Sequence, residues 1–192
     1  MGTPLSQSLA AGDREAFAAL YDRLGLRLFA TARTMLASPA EAEDVVQDLF
    51  VELARMRHRL AAVDDLDGYL FTMLRHAVSR RLRRRSLARR VLDRLGRERL
   101  GGGRLGGGRT GSDGFAAAPA QLPAEPPDEA LAAAVAALPA AQREVVALKI
   151  DGGLTFAEIA AVLGTSANTA ASRYRYALEK LRAHLDPRKV CR

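Results

Sequence analysis

From Asp13 onward the apolar residues recur every three or four positions, and no run shows the strict alternation of a strand. Asp13 is placed to cap a helix that gathers Phe17, Leu20, Tyr21, Leu24, Leu28 and Met35 on one side. Ser38-Pro39 closes that helix and opens the next, because a proline's missing amide and fixed φ suit a first helical turn. The second helix, Ala40 to about Arg59, is expected to bury Val46, Leu49, Phe50 and Leu53. A third, from about Leu66 to Arg85 or beyond, buries Leu70, Met73, Leu74 and Ala77. Farther along, Leu131, Val135 and Leu138 mark a helix ended by Pro139. Val145, Val146, Leu148 and Ile150 mark another, ended at Asp151-Gly152-Gly153.

The stretch from Leu154 to Leu185 carries the most specific pattern. Thr155 and Glu158 have the spacing of a capping box, in which each side chain satisfies an amide near the other residue. Ile159, Ala160 and Leu163 give a short apolar face, and Gly164 permits the left-handed backbone that ends a helix. Ser166 then caps a second helix with an apolar stripe of Ala170, Tyr174, Ala177, Leu178, Leu181 and Leu185. That stripe leaves Asn168, Thr169, Ala171, Ser172, Arg173, Arg175 and Tyr176 free. Amide, hydroxyl and guanidinium groups on the second helix of such a pair suit a helix-turn-helix reader of the major groove. An ordinary helical hairpin with a solvated polar face has the same pattern, and this segment alone leaves both readings open.

Composition narrows the class. The 192 residues are 48% hydrophobic, enough for real cores, while aromatics make up 5% and tryptophan is absent. Alanine, leucine and arginine dominate, so the expected fold class is all-α, with two small helical domains joined by a flexible linker. The first domain runs over 8–95 and the second over 128–188. Between them, 96–127 combines GGGRLGGGRTGSDG, with too much backbone freedom to pack, and AAAPAQLPAEPP, rich in helix breakers. The glycines do not follow a strand or precede Gly-Lys-Ser/Thr, which argues against a phosphate loop. The one cysteine, Cys191, offers no disulfide framework, so a reducing, cytoplasmic setting is expected. No apolar run approaches a membrane span of about 18 residues, and the opening segment lacks a signal-peptide core. The short myristoylation pattern at Gly2 is easily met by chance.

Charge adds the main functional hint. The net charge is +7, yet Arg75 to Arg109 alone holds thirteen arginines against Asp93 and Glu98. Arginine without lysine favours bidentate contact with phosphates, so a nucleic acid is the expected partner; a solubilising run or a compositional bias is the plainer account. Catalysis finds little support. His58, His76 and His184 are scattered, and no metal-ligand cluster or Cys-His pair emerges, so neither metal nor cofactor is expected. Asp44, Gln47, Asp48 and Val51 share a face opposite the buried side of their helix. That face is either simply solvated or a protein-docking surface.

Three segments resemble a known family. AEAEDVVQDLFVELARM, DGYLFTMLRHAVSRRLRR and LPAAQREVVALKIDGGLTFAEIAAVLGTSANTAASRYRYALEKLRAHL look like regions two and four of extracytoplasmic-function sigma factors. These are small members of the sigma-70 family, non-catalytic subunits that direct bacterial RNA polymerase to promoters. The resemblance implies that Asp44, Gln47 and Asp48 dock on the clamp helices of the polymerase β′ subunit. It implies that the loop Ala61 to Asp67 and the helix from Tyr69 to Arg85 melt the minus-ten element, with Arg75, His76, Arg80 and Arg81 as contacts. The minus-thirty-five element would be read by Asn168, Thr169, Ser172, Arg173, Arg175 and Tyr176, with Lys149 available to phosphate. The partners implied are core RNA polymerase, through the clamp helices and the β flap, promoter DNA, and, as a family-based expectation, an anti-sigma factor. The chain departs from the usual pattern at Tyr69, where Trp is common, at His76, where Asn is common, and at Asn168-Thr169-Ala170 in place of Gly-Thr-Val. A LuxR-like regulator would need a receiver or ligand domain, which Ser8 to Leu95 does not resemble. A basic RNA-binding or nuclease enzyme would need a catalytic cluster.

Overall fold

A computed structural model describes residues 4–98 and 129–185, and among them all regular structure is helical. The elements are α1 (Pro4–Ala11), α2 (Arg14–Leu36), α3 (Pro39–Arg55), a 3-10 segment (Arg57–Ala62), α4 (Leu66–Glu98), α5 (Glu129–Ala137), α6 (Ala140–Ile150), α7 (Phe156–Leu163) and α8 (Ala167–Leu185). The greater part of the glycine- and proline-rich linker, together with Cys191, lies outside the described residues.

The caps fall where the side chains provide them. Asp13 Oδ1 accepts from the Glu15 amide at 2.9 Å, and Ser38 accepts from the Glu41 amide with Pro39 in the first turn of α3. Thr155 and Glu158 form the full capping box, worth about 1 kcal/mol. The Thr155 amide and hydroxyl hold the Glu158 carboxyl below its ordinary range. Gly164 adopts φ 61°, a left-handed conformation that only glycine takes at little cost, and so turns the chain from α7 into α8.

Two elements differ from the sequence expectation. α1 has no counterpart in the sequence pattern; it packs on the 3-10 segment, bringing together Leu9 and Leu60, both fully buried, with the Ser6 hydroxyl donating to the Val63 carbonyl at 3.0 Å. Eight residues give too few periods for the apolar spacing to stand out. α4 continues to Glu98, so its end overlaps the start of the expected linker. The expected loop at Ala61 to Asp67 also contracts, because the 3-10 segment runs to Ala62 and α4 begins at Leu66.

The larger finding is how the two halves sit. The amino-terminal bundle buries Leu20, Leu24, Leu28, Leu49, Leu53, Leu70, Phe71 and Leu74, and the same core continues into Val145, Leu148, Leu154, Ile159 and Val162 of the carboxy-terminal half. α6 lies against α2 and α7 against α4. A smaller cluster of Ala134, Leu138, Val146, Ala177 and Leu181 holds α5, α6 and α8 together. The two regions are closed on each other through a shared apolar seam rather than held apart.

Candidate nucleic-acid interface

α8 presents its reading face at its amino-terminal half. Ser166 accepts from the Thr169 amide at 3.1 Å, fixing the first turn. Asn168, Arg175 and Tyr176 are exposed, at i, i+7 and i+8, and the Arg175 guanidinium lies 5.7 Å from the Tyr176 ring centre. Thr169, Ser172 and Arg173 are half-buried beside them, which leaves their outer atoms on the same side of the helix. Ala170, Ala177 and Leu181 pack inward, while Leu185, expected in the apolar stripe, is 39% exposed near the last turn. Lys149 stands apart from this face: its ammonium donates to the Leu154 carbonyl at 2.9 Å and sits 5.1 Å from the Phe156 ring centre. Those contacts tie the end of α6 to the start of α7, a structural use that spacing alone does not reveal.

On α4 the four candidates divide. His76 is exposed. Arg80 faces Glu52 of α3 at 3.6 Å. Arg81 pairs with Asp44 at 2.9 Å and approaches Glu41 at 3.5 Å, so a candidate for DNA and a candidate for polymerase docking hold each other. Arg75 points the other way, its Nε 2.8 Å from Glu144 Oε1 on α6, across the seam. Tyr69 anchors the start of this helix, its hydroxyl donating to Met56 Sδ at 3.6 Å. The carboxylates around these arginines are spread over α3 and α6, and no apolar periodicity announces them.

The α3 face behaves as its pattern indicates. Gln47, Asp48 and Val51 are exposed, and the structure gives Gln47 and Asp48 no side-chain partner among the described residues. Asp48 and Val51 line a groove of about 340 Å³ between α3 and α4, whose opposite wall is Met73, Ala77 and Arg80. Phe50, expected in the core, is half-buried and meets the Tyr21 ring edge-on at 5.1 Å between centres.

Sequence reasoning misses the meeting of Arg27, Phe71 and Gly152 at the seam. Arg27 Nε donates to the Gly152 carbonyl at 3.0 Å, its Nη2 donates to the same oxygen, and the guanidinium covers the Phe71 ring at 5.5 Å. A Cβ on Gly152 would stand 3.1 Å from Phe71 Cε1 and 2.6 Å from the Leu148 carbonyl four residues earlier, so the close approach of the α6–α7 turn to Phe71 of α4 needs glycine. Asp151 sits beside it. Burial pushes its carboxyl up, against a Thr34 hydrogen bond and the Arg33 charge from α2, which lower it. A carboxyl with a raised folded pKa holds its proton more tightly in the fold. Stability therefore rises as pH falls through that folded pKa and levels off below the ordinary value of 3.8. Asp151→Asn keeps the shape and an acceptor for Thr34 while removing the desolvated charge. It is expected to stabilise the chain at pH 7 by up to about 1 kcal/mol, the gain shrinking as pH falls toward 4. Thermal melts of both proteins at the two pH values check this; a gap that widens on acidification would refute it.

Among the described residues no group of three or more His, Cys, Asp or Glu side chains converges on one point, and no helix is long and apolar enough to cross a membrane.

Comparison with known proteins gives two family matches in order along the chain: sigma-70 region 2 over residues 20–88 and sigma-70 region 4 over residues 128–181. Among solved structures the chain is similar to CnrH in complex with the cytosolic domain of CnrY, at 27% identity and a TM-score of 0.62, covering 95% of each chain. It is also similar to the sigma factor RpoE from Bartonella quintana, solved in complex with the anti-sigma factor NepR, at 26% identity and a TM-score of 0.62, covering 91% of this chain and 99% of that one. No curated protein matches the chain.

Proposed function

Because the chain belongs to the sigma-70 family, as a two-region factor of the extracytoplasmic-function kind, we propose that it brings core RNA polymerase to promoters defined by a minus-ten and a minus-thirty-five element. The observation that carries this reading is the pairing, within the two matched regions, of an α4 that displays His76 beside a row of arginines with a capped α8 that displays Asn168, Arg175 and Tyr176. Gln47 and Asp48 dock on the polymerase clamp, with Asp44 positioned by Arg81. α8 enters the major groove by its amino-terminal half, where side chains at Asn168 to Tyr176 reach base edges. At the minus-ten element α4 and the Val63–Asp65 connection hold an unstacked base, so melting is driven by binding of the single strand and not by a chemical fuel. The chain is a specificity subunit and contributes no catalytic group to RNA synthesis.

The closed seam fits this role as a resting arrangement. Arg75 is held by Glu144, so it reaches DNA only when the two regions part on polymerase. An anti-sigma factor that favours the closed form is a partner of the kind seen with the RpoE relative.

Run-off transcription with bacterial core polymerase and a library of promoter fragments tests the whole reading. Specific start sites that appear only with the added chain are expected. Tight DNA binding by the chain alone, with no association to core, would refute it. Within that assay, Arg173→Ala is expected to weaken the upstream element by about 1–3 kcal/mol, the cost of one bidentate base contact. Unchanged preference among minus-thirty-five variants would remove Arg173 from the reading face.

A further inference from the structure

We propose that the carboxy-terminal extension of α4, Arg83 to Arg94, is a sequence-independent phosphate-binding surface for the duplex DNA that lies between the two promoter elements. It rests on the sigma-factor reading for its place on the promoter, and on its own charge pattern for the partner.

The arginines of α4 fall into two sets. Arg75, Arg80, Arg81 and Arg85 are each matched to a carboxylate, respectively Glu144, Glu52, Asp44 and Glu41. Arg83, Arg84, Arg89, Arg90 and Arg94 are exposed, and their guanidinium groups have no ion pair or hydrogen bond among the described residues. Cations four apart on a helix repel, as Arg90 and Arg94 do, and Asp93 is the one acid between Arg83 and Arg94. Beyond Arg85 little packing offsets that repulsion, since Leu87 is 62%, Val91 49% and Leu92 67% exposed. A partner that brings regularly spaced negative charge removes the repulsion and uses the free donors.

The spacing selects the partner's shape. Arg83, Leu87, Arg90 and Arg94 stand at i, i+4, i+7 and i+11, with Arg84 and Val91 adjoining, so one side of the helix carries a cationic row about 16 Å long. That length matches roughly five phosphates of one strand. An interfacial membrane helix needs its cations and apolar groups on opposite faces, whereas in α4 Leu87 and Val91 lie among the arginines and Arg85 and Arg89 occupy the other side. The segment's free donors are guanidinium groups strung along about 16 Å of helix, a spacing that suits successive phosphates rather than the edges of one or two base pairs. α4 is one continuous helix from the melting residues to this row, and the chain leaving it leads to the minus-thirty-five reader. The row is therefore carried alongside the DNA that joins the two elements.

The test uses the full chain with a labelled 30-base-pair duplex lacking any promoter, read by fluorescence anisotropy across about 50–200 mM salt. Triple replacement of Arg83, Arg90 and Arg94 by alanine is expected to weaken binding and to make the slope of log K against log salt shallower by about 2–3. Triple replacement by lysine restores most of the slope. An unchanged slope in a variant with a native circular dichroism spectrum overturns the proposal. So does an unchanged slope with lost flotation on phosphatidylserine vesicles, which would assign the row to a membrane, or with lost competition for core polymerase, which would assign it to a protein. In the holoenzyme the alanine variant should find promoters more slowly while using the same start sites. Failure of the unaltered chain to start transcription counts against the sigma-factor reading, and the anisotropy slope still decides the extension.

Discussion

Phe71→Ala is expected to lower the stability of the chain by about 3–5 kcal/mol, the range for losing a large aromatic side chain from a core. Phe71 is fully buried on α4 and is among the largest fully buried side chains. Its ring is covered on one side by the Arg27 guanidinium at 5.5 Å, and its edge abuts Gly152 of the other region. Truncation therefore opens a cavity that neither region can close alone, and it leaves Arg27 without the ring it rests on. Urea denaturation followed by circular dichroism checks the magnitude. With an intact seam the described regions should unfold together, whereas the variant should show the carboxy-terminal region separating at lower urea. A loss below about 1 kcal/mol, or a single transition of unaltered midpoint, would mean that the seam contributes little to stability in solution.

Asp48→Arg is expected to abolish assembly with core polymerase while leaving the fold intact. Asp48 is exposed, lies beside Gln47 on the outer face of α3, and has no side-chain hydrogen bond or ion pair among the described residues. A surface change of that kind alters stability by no more than about 0.5 kcal/mol. Placing an arginine where a desolvated carboxylate should meet its partner costs roughly 2–5 kcal/mol at an interface, enough to reduce affinity by at least tenfold and up to several thousandfold. Asp44 is a poorer probe, because its replacement also frees Arg81. Gel filtration with core polymerase, alongside run-off transcription, reads the result. Undiminished assembly by Asp48→Arg would move the docking surface off this face of α3.

The contrast between these two residues shows where sequence reasoning stops. Asp48 can be picked out because a helix converts position into direction: with Val46, Leu49 and Leu53 inward, Asp48 must face outward. The same logic locates the Thr155–Glu158 box and the outward placement of Asn168, Arg175 and Tyr176. Phe71 cannot be singled out in this way. It follows Leu70 in the chain and looks like a flank of the apolar stripe, yet a second region covers it. Arg27 reads as one more surface cation on α2, and Gly152 as a helix terminator; their meeting across 125 residues has no local signature.

Local rules thus determined the helices other than α1, most of their caps, the two regions and which polar faces point outward, because capping and 3.6-residue periodicity act over a few residues along one chain segment. Only the tertiary structure decided which polar groups are already spoken for: Arg75 by Glu144, Arg81 by Asp44, and Lys149 by the Leu154 carbonyl. It also decided that the two regions share one core. A thirteen-arginine run reads as uniform charge in the sequence; in three dimensions, part of it is matched to carboxylates on α3 and α6, while Arg83, Arg84, Arg89, Arg90 and Arg94 have no ion pair among the described residues. The physical reason is range. Side-chain pairing and burial depend on which surfaces meet after the chain has folded back on itself, and nothing in the spacing of neighbouring residues encodes that distance.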